Sequence, residues 1–291
     1  MKGRAAGVGA LHISVMLFGL SAVFGKLIEA PASVIAGGRV LCSFMALVVF
    51  SLIFRVPRKL NGAIDYVIAG LAGAVMAIHW TAFFYSAQIA SVAIATITFS
   101  AFPLFVTFLE PLLFGEKFRA GNMAGAAVLL AGVIVMVPEL SPGNTQTAGV
   151  LWGMVSALAY AAMTLCNRHL SAHYQAGTIC LYEQGAAAFL LLPVLLRAQV
   201  DWTSRTILGI VAVGLVCTAF AHSLFVAAQK HVTAQTAGMI SGMEAVYGII
   251  YAFLFLGEVP SVRELLGGAI VLCTAFVFSV KRVHNVERPG T

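Results

Sequence analysis

The sequence predicts an all-α polytopic membrane protein with ten transmembrane helices, arranged as two inverted five-helix repeats around a central cavity. Its 291 residues are 60% hydrophobic and only 10% charged, and the mean hydropathy is +0.97. A soluble domain carries about 25% charged residues, so this chain has too little polar surface for a water-soluble fold. Apolar runs long enough to cross a bilayer recur along the chain, and the second half repeats features of the first.

Ten apolar runs approach the roughly 20 residues that a helix needs to cross a bilayer. We expect the spans at about 8–27, 33–54, 63–86, 91–113, 119–137, 148–167, 175–196, 206–228, 232–255 and 264–281. The third and fourth spans are the hardest to separate, because residues 66–109 contain no Asp, Glu, Lys or Arg. The polar stretch Ser86–Ser91 predicts a tight turn between them.

An internal repeat relates the two halves of the chain. The segment Phe114-Gly115-Glu116 corresponds to Leu256-Gly257-Glu258 at an offset of 142 residues. The same offset relates Gly125 to Gly267 and Ala127 to Ala269. Five spans are an odd number, so the second repeat must enter the membrane in the opposite orientation. We therefore expect two units, residues 1–139 and 148–282, of the kind that forms alternating gates in secondary transporters.

The distribution of basic residues predicts how the chain is oriented. Ten spans leave both termini on one side, and most of the 17 Lys and Arg residues fall in the segments on that side. The positive-inside rule then places both termini in the cytoplasm, with the chain in the inner membrane of the cell. The net charge of +6 does not indicate a nucleic-acid partner, because these residues form no continuous basic patch.

The ten spans, the two repeats and the Phe/Leu-Gly-Glu ends of spans four and nine resemble the drug/metabolite transporter superfamily, in its EamA-type branch. Pro103 in the middle of span four fits that family, as do Gly125 and Gly132 in span five. Span nine departs from it, because it reads Ser241-Gly242-Met243-Glu244-Ala245 where the family often has a proline. The resemblance covers about 9–137 and 149–280. It implies an export-type carrier for small metabolites; amino acid exporters, including those of the YddG type, are a large part of the branch.

Polar groups inside the bilayer are costly, roughly 2.5–3.5 kcal/mol for a central charge, and usually face a cavity. The candidates for substrate binding are Glu244, Glu183, His79, His222, Arg39, Tyr160, Thr164 and Ser241. As a hypothesis, Glu244 or a cavity carbonyl binds the ammonium group of a zwitterion, and Arg39 or other polar groups bind its carboxylate. Arg39 either binds its carboxylate or extends outward to the membrane surface.

The spacing of some candidate residues predicts which of them share a helix face. His79 and Trp80 point about 100° apart on a helix, so we expect at most one of them to face the cavity squarely. We favour His79 for that position, with Trp80 as a lipid-facing or packing residue. Tyr160 and Thr164 lie four apart and share a face, where their hydroxyls bind substrate or link helices. A structural or gating role is expected for Pro103, Gly115, Glu116, Gly257 and Glu258.

Enzyme motifs are absent from the sequence. GxxxxGK[ST], HExxH, GxSxG and metal-spaced Cys/His clusters are all missing. We therefore expect no enzyme activity, no cofactor and no bound metal, and the five cysteines are expected to pack as small residues. Energy must then come from the substrate gradient or from a coupled ion, and the only plausible proton carriers are His79, His222, Glu183 and Glu244. A monomer suffices to enclose a cavity.

Two alternatives remain open. One is an efflux carrier for lipophilic cations, whose small relatives use an acidic residue in their first helix. Span one here has no acid before Glu29, and span six has none. The other is a channel, a lipid-handling protein or an intramembrane enzyme. For an enzyme, Cys166 and His169 are close in sequence but lack a group that would orient them.

Overall fold

Helices account for nearly all of the chain that the structure describes. The computed structural model describes residues 2–114, 120–136, 141, 143–229, 232 and 240–286, and that part contains no strand. The helices are α1 Lys2–Leu27, α2 Ala32–Ile53, α3 Ala63–Ile89, α4 Val92–Phe99, α5 Phe102–Phe114, α6 Ala120–Met136, α7 Thr145–Ser171, α8 Ala176–Arg197, α9 Ser204–Gly214, a π-helical segment Leu215–Phe220, α10 Ala221–Gln229, α11 Met243–Leu256 and α12 Val262–Val286. The all-helical prediction is confirmed.

Most of these helices can cross a membrane. Among the described residues, seven helical stretches are long and apolar enough to do so, and α11 and the Ala124–Met136 part of α6 form two shorter apolar helices. Large apolar side chains cover the outside of the bundle. Phe189 is 76% exposed and Leu196 is 77% exposed, as is favourable only where acyl chains replace water. The chain is therefore a multi-pass membrane protein.

The turn between α3 and α4 is shorter than the sequence suggested. Helix α3 continues to Ile89, past the expected end at residue 86, so only Ala90 and Ser91 separate the two helices. Ser91 caps α4, because its Oγ accepts a hydrogen bond from the backbone N–H of Ile94 at 3.0 Å. This cap satisfies one of the free N–H groups that begin a helix.

The fourth span is broken into two helices. Helix α4 ends at Phe99 and α5 begins at Phe102, so Pro103 stands in the first turn of α5 rather than in the middle of one helix. A proline costs little there, because first-turn N–H groups have no partner inside the helix. The Ser100 hydroxyl donates to the Thr96 carbonyl at 2.9 Å. The same carbonyl also accepts the Ser100 backbone N–H at 3.1 Å, so it is paired twice where α4 ends.

The eighth span contains a π-helical segment that the sequence did not predict. The hydroxyl of Thr218 donates to the carbonyl of Val213, five residues earlier, at 2.8 Å. The same Thr218 oxygen accepts a hydrogen bond from Arg39 Nε at 2.9 Å. A π segment shifts the direction of the side chains that follow, and such segments are frequent at functional sites.

Two glycine contacts join the first half of the chain to the second. A Cβ added to Gly19 on α1 would lie 2.8 Å from the backbone nitrogen of Gly248 on α11. A Cβ added to Gly267 on α12 would lie 2.5 Å from the carbonyl oxygen of Gly132 on α6. Such close approach of backbones is how helices pack in lipid, and it brings the two halves together around a central cavity.

Candidate functional site

A cavity lies between the two halves of the helical bundle. Side chains of both halves line it, namely Phe18, Met76, His79, Trp80, Phe99, Tyr160, Met163, Gln184, Cys217, Thr218, His222 and Glu244. The gap between these atoms totals about 440 Å³, with open solvent at its mouth included. It is narrow, however, and has room for only a few water molecules. In this conformation a metabolite fits only if the helices move.

Glu244 provides the carboxylate of the cavity. It stands in the first turn of α11, is 8% exposed and lines the cavity wall. The guanidinium of Arg39 on α2 attracts its charge. Ser241 lies one turn earlier and is half-buried, but it is not among the described residues that line the cavity.

Arg39 lies behind the cavity wall and is completely buried. Its Nη1 donates to Ser21 Oγ at 3.0 Å, and its guanidinium carbon lies 3.3 Å from the centre of the Trp80 ring. Among the described residues its Nη2 has no hydrogen-bond partner. The expected alternative that Arg39 extends outward is therefore wrong, because its hydrogen bonds and the Trp80 ring hold it inside.

Aromatic rings form one wall of the cavity. The His79 ring centre lies 4.5 Å from that of Trp80, 5.0 Å from Tyr160 and 5.1 Å from Phe99. The orientation of His79 is fixed by Ser156, whose hydroxyl and carbonyl oxygens lie 2.8 Å and 3.1 Å from Nδ1.

Both His79 and Trp80 line the cavity, so the expected preference for His79 over Trp80 receives no support. Two broad rings about 100° apart on a helix can both contact a gap that lies between their directions.

Other expected site residues divide between the cavity and its surroundings. Tyr160 lines the cavity, but Thr164 is absent from the lining found in the described part, and its hydroxyl donates to the Tyr160 carbonyl at 2.8 Å. That bond occupies the proton of Thr164, so a role in substrate binding receives no support. His222 lines the cavity. Glu183 lies beside the cavity, fully buried, while its neighbour Gln184 faces it.

Sequence reasoning missed several lining residues. Gln184 was recognisable as a polar residue in an apolar span, but Glu183 appeared the stronger candidate. Thr218 and Cys217 gave no signal, because they reach the cavity through the π-helical segment. Phe18 and Met76 have the character of ordinary packing residues. Sequence alone therefore identified the ionisable groups of the site better than its apolar walls.

An ion-pair cluster joins the helices at the end of the bundle where α1 finishes, which we call the Lys26 end. Lys26 forms a salt bridge with Glu258, and Glu258 Oε2 accepts from the N–H of Val92 at 3.0 Å. Ser91 Oγ donates to Glu264 Oε1 at 2.8 Å. These bonds tie α1, the start of α4 and the segment between α11 and α12 together.

Gly257 positions Glu258 in this cluster. Its φ of +66° lies in the left-handed region, which favours glycine. The Gly257 N–H donates to the Phe253 carbonyl at 3.2 Å, and the Glu258 N–H donates to the Ala252 carbonyl at 3.2 Å. This glycine cap ends α11 and turns the chain toward Lys26.

A second set of polar contacts lies at the opposite end. Arg168 at the end of α7 forms a salt bridge with Glu110 on α5. Tyr174, in the segment after α7, donates to Asp65 Oδ2 at 2.6 Å, and this hydrogen bond raises the pKa of Tyr174. Gly115 and Glu116, the other expected gating residues, lie outside the described residues.

Comparisons with known proteins give a consistent assignment. The model of the EamA-like transporter family matches residues 5–137 and again 147–280. An uncharacterized transporter of Archaeoglobus fulgidus is 26% identical over 275 residues, covering 93% of this chain and 95% of that protein.

Two similar proteins have names that state a cargo. A probable terminal-alkyne amino-acid exporter of Streptantibioticus cattleyicolor is 26% identical, covering 76% of this chain and 74% of its own length. The pseudopaline exporter CntI of Pseudomonas aeruginosa is 23% identical, covering 71% and 72%. The family and these relatives are transporters and not enzymes.

A solved structure supports the fold alone. A protein crystal structure superposes with a TM-score of 0.64 at 16% identity, and the alignment covers 96% of this chain and 98% of that one. The described helices therefore follow an architecture that an experiment has already observed.

Proposed function

The chain belongs to the EamA-like transporter family, and on this premise we propose that it exports amino acids or closely related metabolites by alternating access. The observation that carries the proposal is the arrangement of charge at the cavity. Glu244 contributes a carboxylate to the wall, and the buried guanidinium of Arg39 lies behind another part of it. A zwitterion carries the complementary pair of charges, so both ends of the molecule are stabilised at once.

The proposed binding mode assigns each part of an amino acid to one surface. The ammonium group binds the carboxylate of Glu244. The α-carboxylate lies in the positive field of Arg39 and accepts hydrogen bonds from cavity groups such as Gln184 and His222. The side chain packs against the His79 and Trp80 wall. Aromatic rings tolerate many apolar shapes, so we expect a broad rather than a narrow range of side chains.

The names of two relatives support this substrate class. One is a probable terminal-alkyne amino-acid exporter and the other a pseudopaline exporter. Both names give export as the direction, which is the reason for proposing export here. Because these relatives are only 26% and 23% identical to this chain, we propose the same class of substrate, amino acids and related metabolites, and not the same molecule.

The proposed transport cycle uses the two ends of the bundle as gates. Lys26 and Arg168 are separated by 142 residues, the same offset that relates Glu116 to Glu258. In the inverted repeat, residues 1–139 and 148–282, the two basic residues are therefore counterparts. The Lys26–Glu258 bridge holds one gate closed in this conformation, and Arg168 with Glu110 stabilises the other end. Opening the Lys26 end requires the bridge to Glu258 to break.

The proposed setting is the inner membrane with both termini in the cytoplasm. The Lys26 end then faces outward. Proton coupling is part of the proposal, because Glu244 is an ionisable group that a substrate ammonium contacts directly. Release of the ammonium and uptake of a proton by the same carboxylate would exchange one charge for another within the cavity.

The proposal is tested with purified protein in proteoliposomes. A panel of labelled amino acids is offered with and without a pH gradient, and Glu244→Gln is compared with the wild type. We expect counterflow of several amino acids, a dependence on the gradient, and a loss of at least tenfold in the variant. Glu29→Gln is the matched control, because Glu29 is an exposed acid whose nearest basic group is 3.8 Å away.

Several outcomes would contradict the proposal. Wild-type counterflow in Glu244→Gln would remove the ammonium assignment. Flux that ignores the pH gradient would remove proton coupling. Export of lipophilic cations with no flux of any amino acid would favour the alternative function, since an acidic group and aromatic walls also suit such cations.

A further inference from the structure

A second cluster of chemically active side chains lies beside the cavity. Cys180 and Glu183 are three residues apart on α8, so they share one face of that helix. His222 faces them from α10. The cysteine sulfur, a carboxylate oxygen and an imidazole nitrogen all lie within 4.8 Å of one another. Each of these atoms is a metal ligand in proteins.

The carboxylate of this cluster is unusual for its burial. Glu183 is fully buried, and neither of its oxygens has a hydrogen-bond partner in the part of the chain that the structure describes. The nearest basic atom, His222 Nε2, is 4.0 Å away. The side-chain amide of Asn167 on α7 makes a weak donor contact with the carboxylate, too poor in geometry to count as a hydrogen bond, and the Oδ1 of that amide is itself buried without a partner there. Buried acceptors of this kind lose the stabilisation that water would give them, and a cation among them would offset that loss.

The ligand types determine which cation fits. Sodium, magnesium and calcium prefer oxygen ligands throughout, whereas sulfur and imidazole nitrogen favour zinc and its neighbours. In a tetrahedral zinc site the ligand atoms are about 3.5 Å apart. Small side-chain rotations would close the observed 4.8 Å to that separation. Three protein ligands would leave a fourth position for water or for a metabolite.

We propose that Cys180, Glu183 and His222 form a binding site for a divalent ion of the zinc type. His222 also lines the central cavity, so an ion can reach the site through that cavity. Bound metal would engage the same imidazole that faces the transported molecule. Sequence spacing did not reveal this site, because its ligands come from two helices about 40 residues apart along the chain.

Two measurements on the full-length protein in detergent test the proposal, and neither requires transport. Zinc is titrated by calorimetry. In parallel, cobalt is added as a spectroscopic substitute, and the near-ultraviolet sulfur-to-cobalt band reports a thiolate ligand. We expect one ion per chain with a micromolar or tighter Kd. Cys180→Ser should abolish the cobalt band, and Glu183→Gln should weaken binding at least tenfold.

The matched control is Cys166→Ser, because Cys166 is a half-buried thiol on α7 that lies near Glu183 but outside the cluster. It should bind zinc as the wild type does. A variant that retains only Cys180 gives an independent readout, since zinc should slow alkylation of its single thiol at least tenfold.

Absence of zinc binding would overturn the proposal. So would binding that survives both Cys180→Ser and Glu183→Gln, or alkylation of Cys180 that ignores zinc. These results are independent of amino acid counterflow, so failure of the metal site and failure of the proposed transport function can be told apart.

Discussion

Removing the charge of Glu258 should open the Lys26 end of the bundle. Glu258 accepts hydrogen bonds from both the Lys26 ammonium and the Val92 N–H. The side chains of Lys26 and Glu258 are only 23% and 22% exposed. Hydrogen bonds to charged groups contribute about 1.5–3 kcal/mol. Glu258→Gln retains one acceptor oxygen, so we expect the closed state to lose about 1.5–2 kcal/mol. That corresponds to roughly a 10- to 30-fold larger open population.

Cysteine labelling measures that population directly. Cys217 lines the cavity, and a variant with Ser at Cys42, Cys166, Cys180 and Cys273 retains it as the single thiol. A membrane-impermeant thiol reagent is added to the Lys26 side. If opening is faster than labelling, the labelling rate follows the open population, so it should rise about 10- to 30-fold in Glu258→Gln.

Glu29→Gln is the control for this measurement. Glu29 belongs to the same end, but its pair with Arg205 is 3.8 Å long, and the two side chains are 80% and 71% exposed. Exposed pairs of this kind contribute little, so labelling should change less than twofold. The gate assignment would be refuted if Glu258→Gln left the rate within twofold of its parent, or if Glu29→Gln raised it equally.

Three further substitutions test the residues that shape the site. Gly257→Ala should lower the free energy of unfolding by about 1 kcal/mol, because alanine is strained at a φ of +66°. Thermal melts in detergent measure this loss. The control is Gly9→Ala, where an added Cβ meets open space; an equal loss there would contradict the prediction. Gly19→Val should lower the free energy of unfolding by about 1–3 kcal/mol, because the larger side chain overpacks against α11. An unchanged melting temperature would rule out the close contact between Gly19 and α11. Arg39→Met should raise the transport KM for a neutral amino acid at least tenfold, and Arg39→Lys should raise it less; equal effects of the two would exclude a charge role.

Sequence reasoning succeeded where lipid itself imposes the rule. A helix that crosses a bilayer needs about 20 apolar residues, so the positions of most helices followed from hydropathy alone. The helix-ending glycine at Gly257 was also recognisable from the repeated Gly-Glu segment, and its φ of +66° agrees with that expectation of a structural role. The break between α4 and α5 was less accessible, because Pro103 marks its neighbourhood but not its position.

The partners of the buried polar residues could not be predicted from the sequence. Glu183 and Gln184 are adjacent, yet only Gln184 lines the cavity. In helices that are apolar on nearly every side, hydrophobic periodicity is weak and does not fix how each helix is rotated about its axis. The stacking of Arg39 on Trp80 likewise joins two helices whose rotation depends on their neighbours.

The sequence by itself therefore determined that this chain spans a membrane, how its helices are distributed, and which ionisable residues lie among them, since the cost of polar groups in lipid acts on each segment separately. Only the tertiary structure decided that Glu244 lines a cavity, that Arg39 lies behind its wall, and that Lys26 pairs with Glu258. These facts depend on close packing between distant helices, which no local pattern of residues specifies.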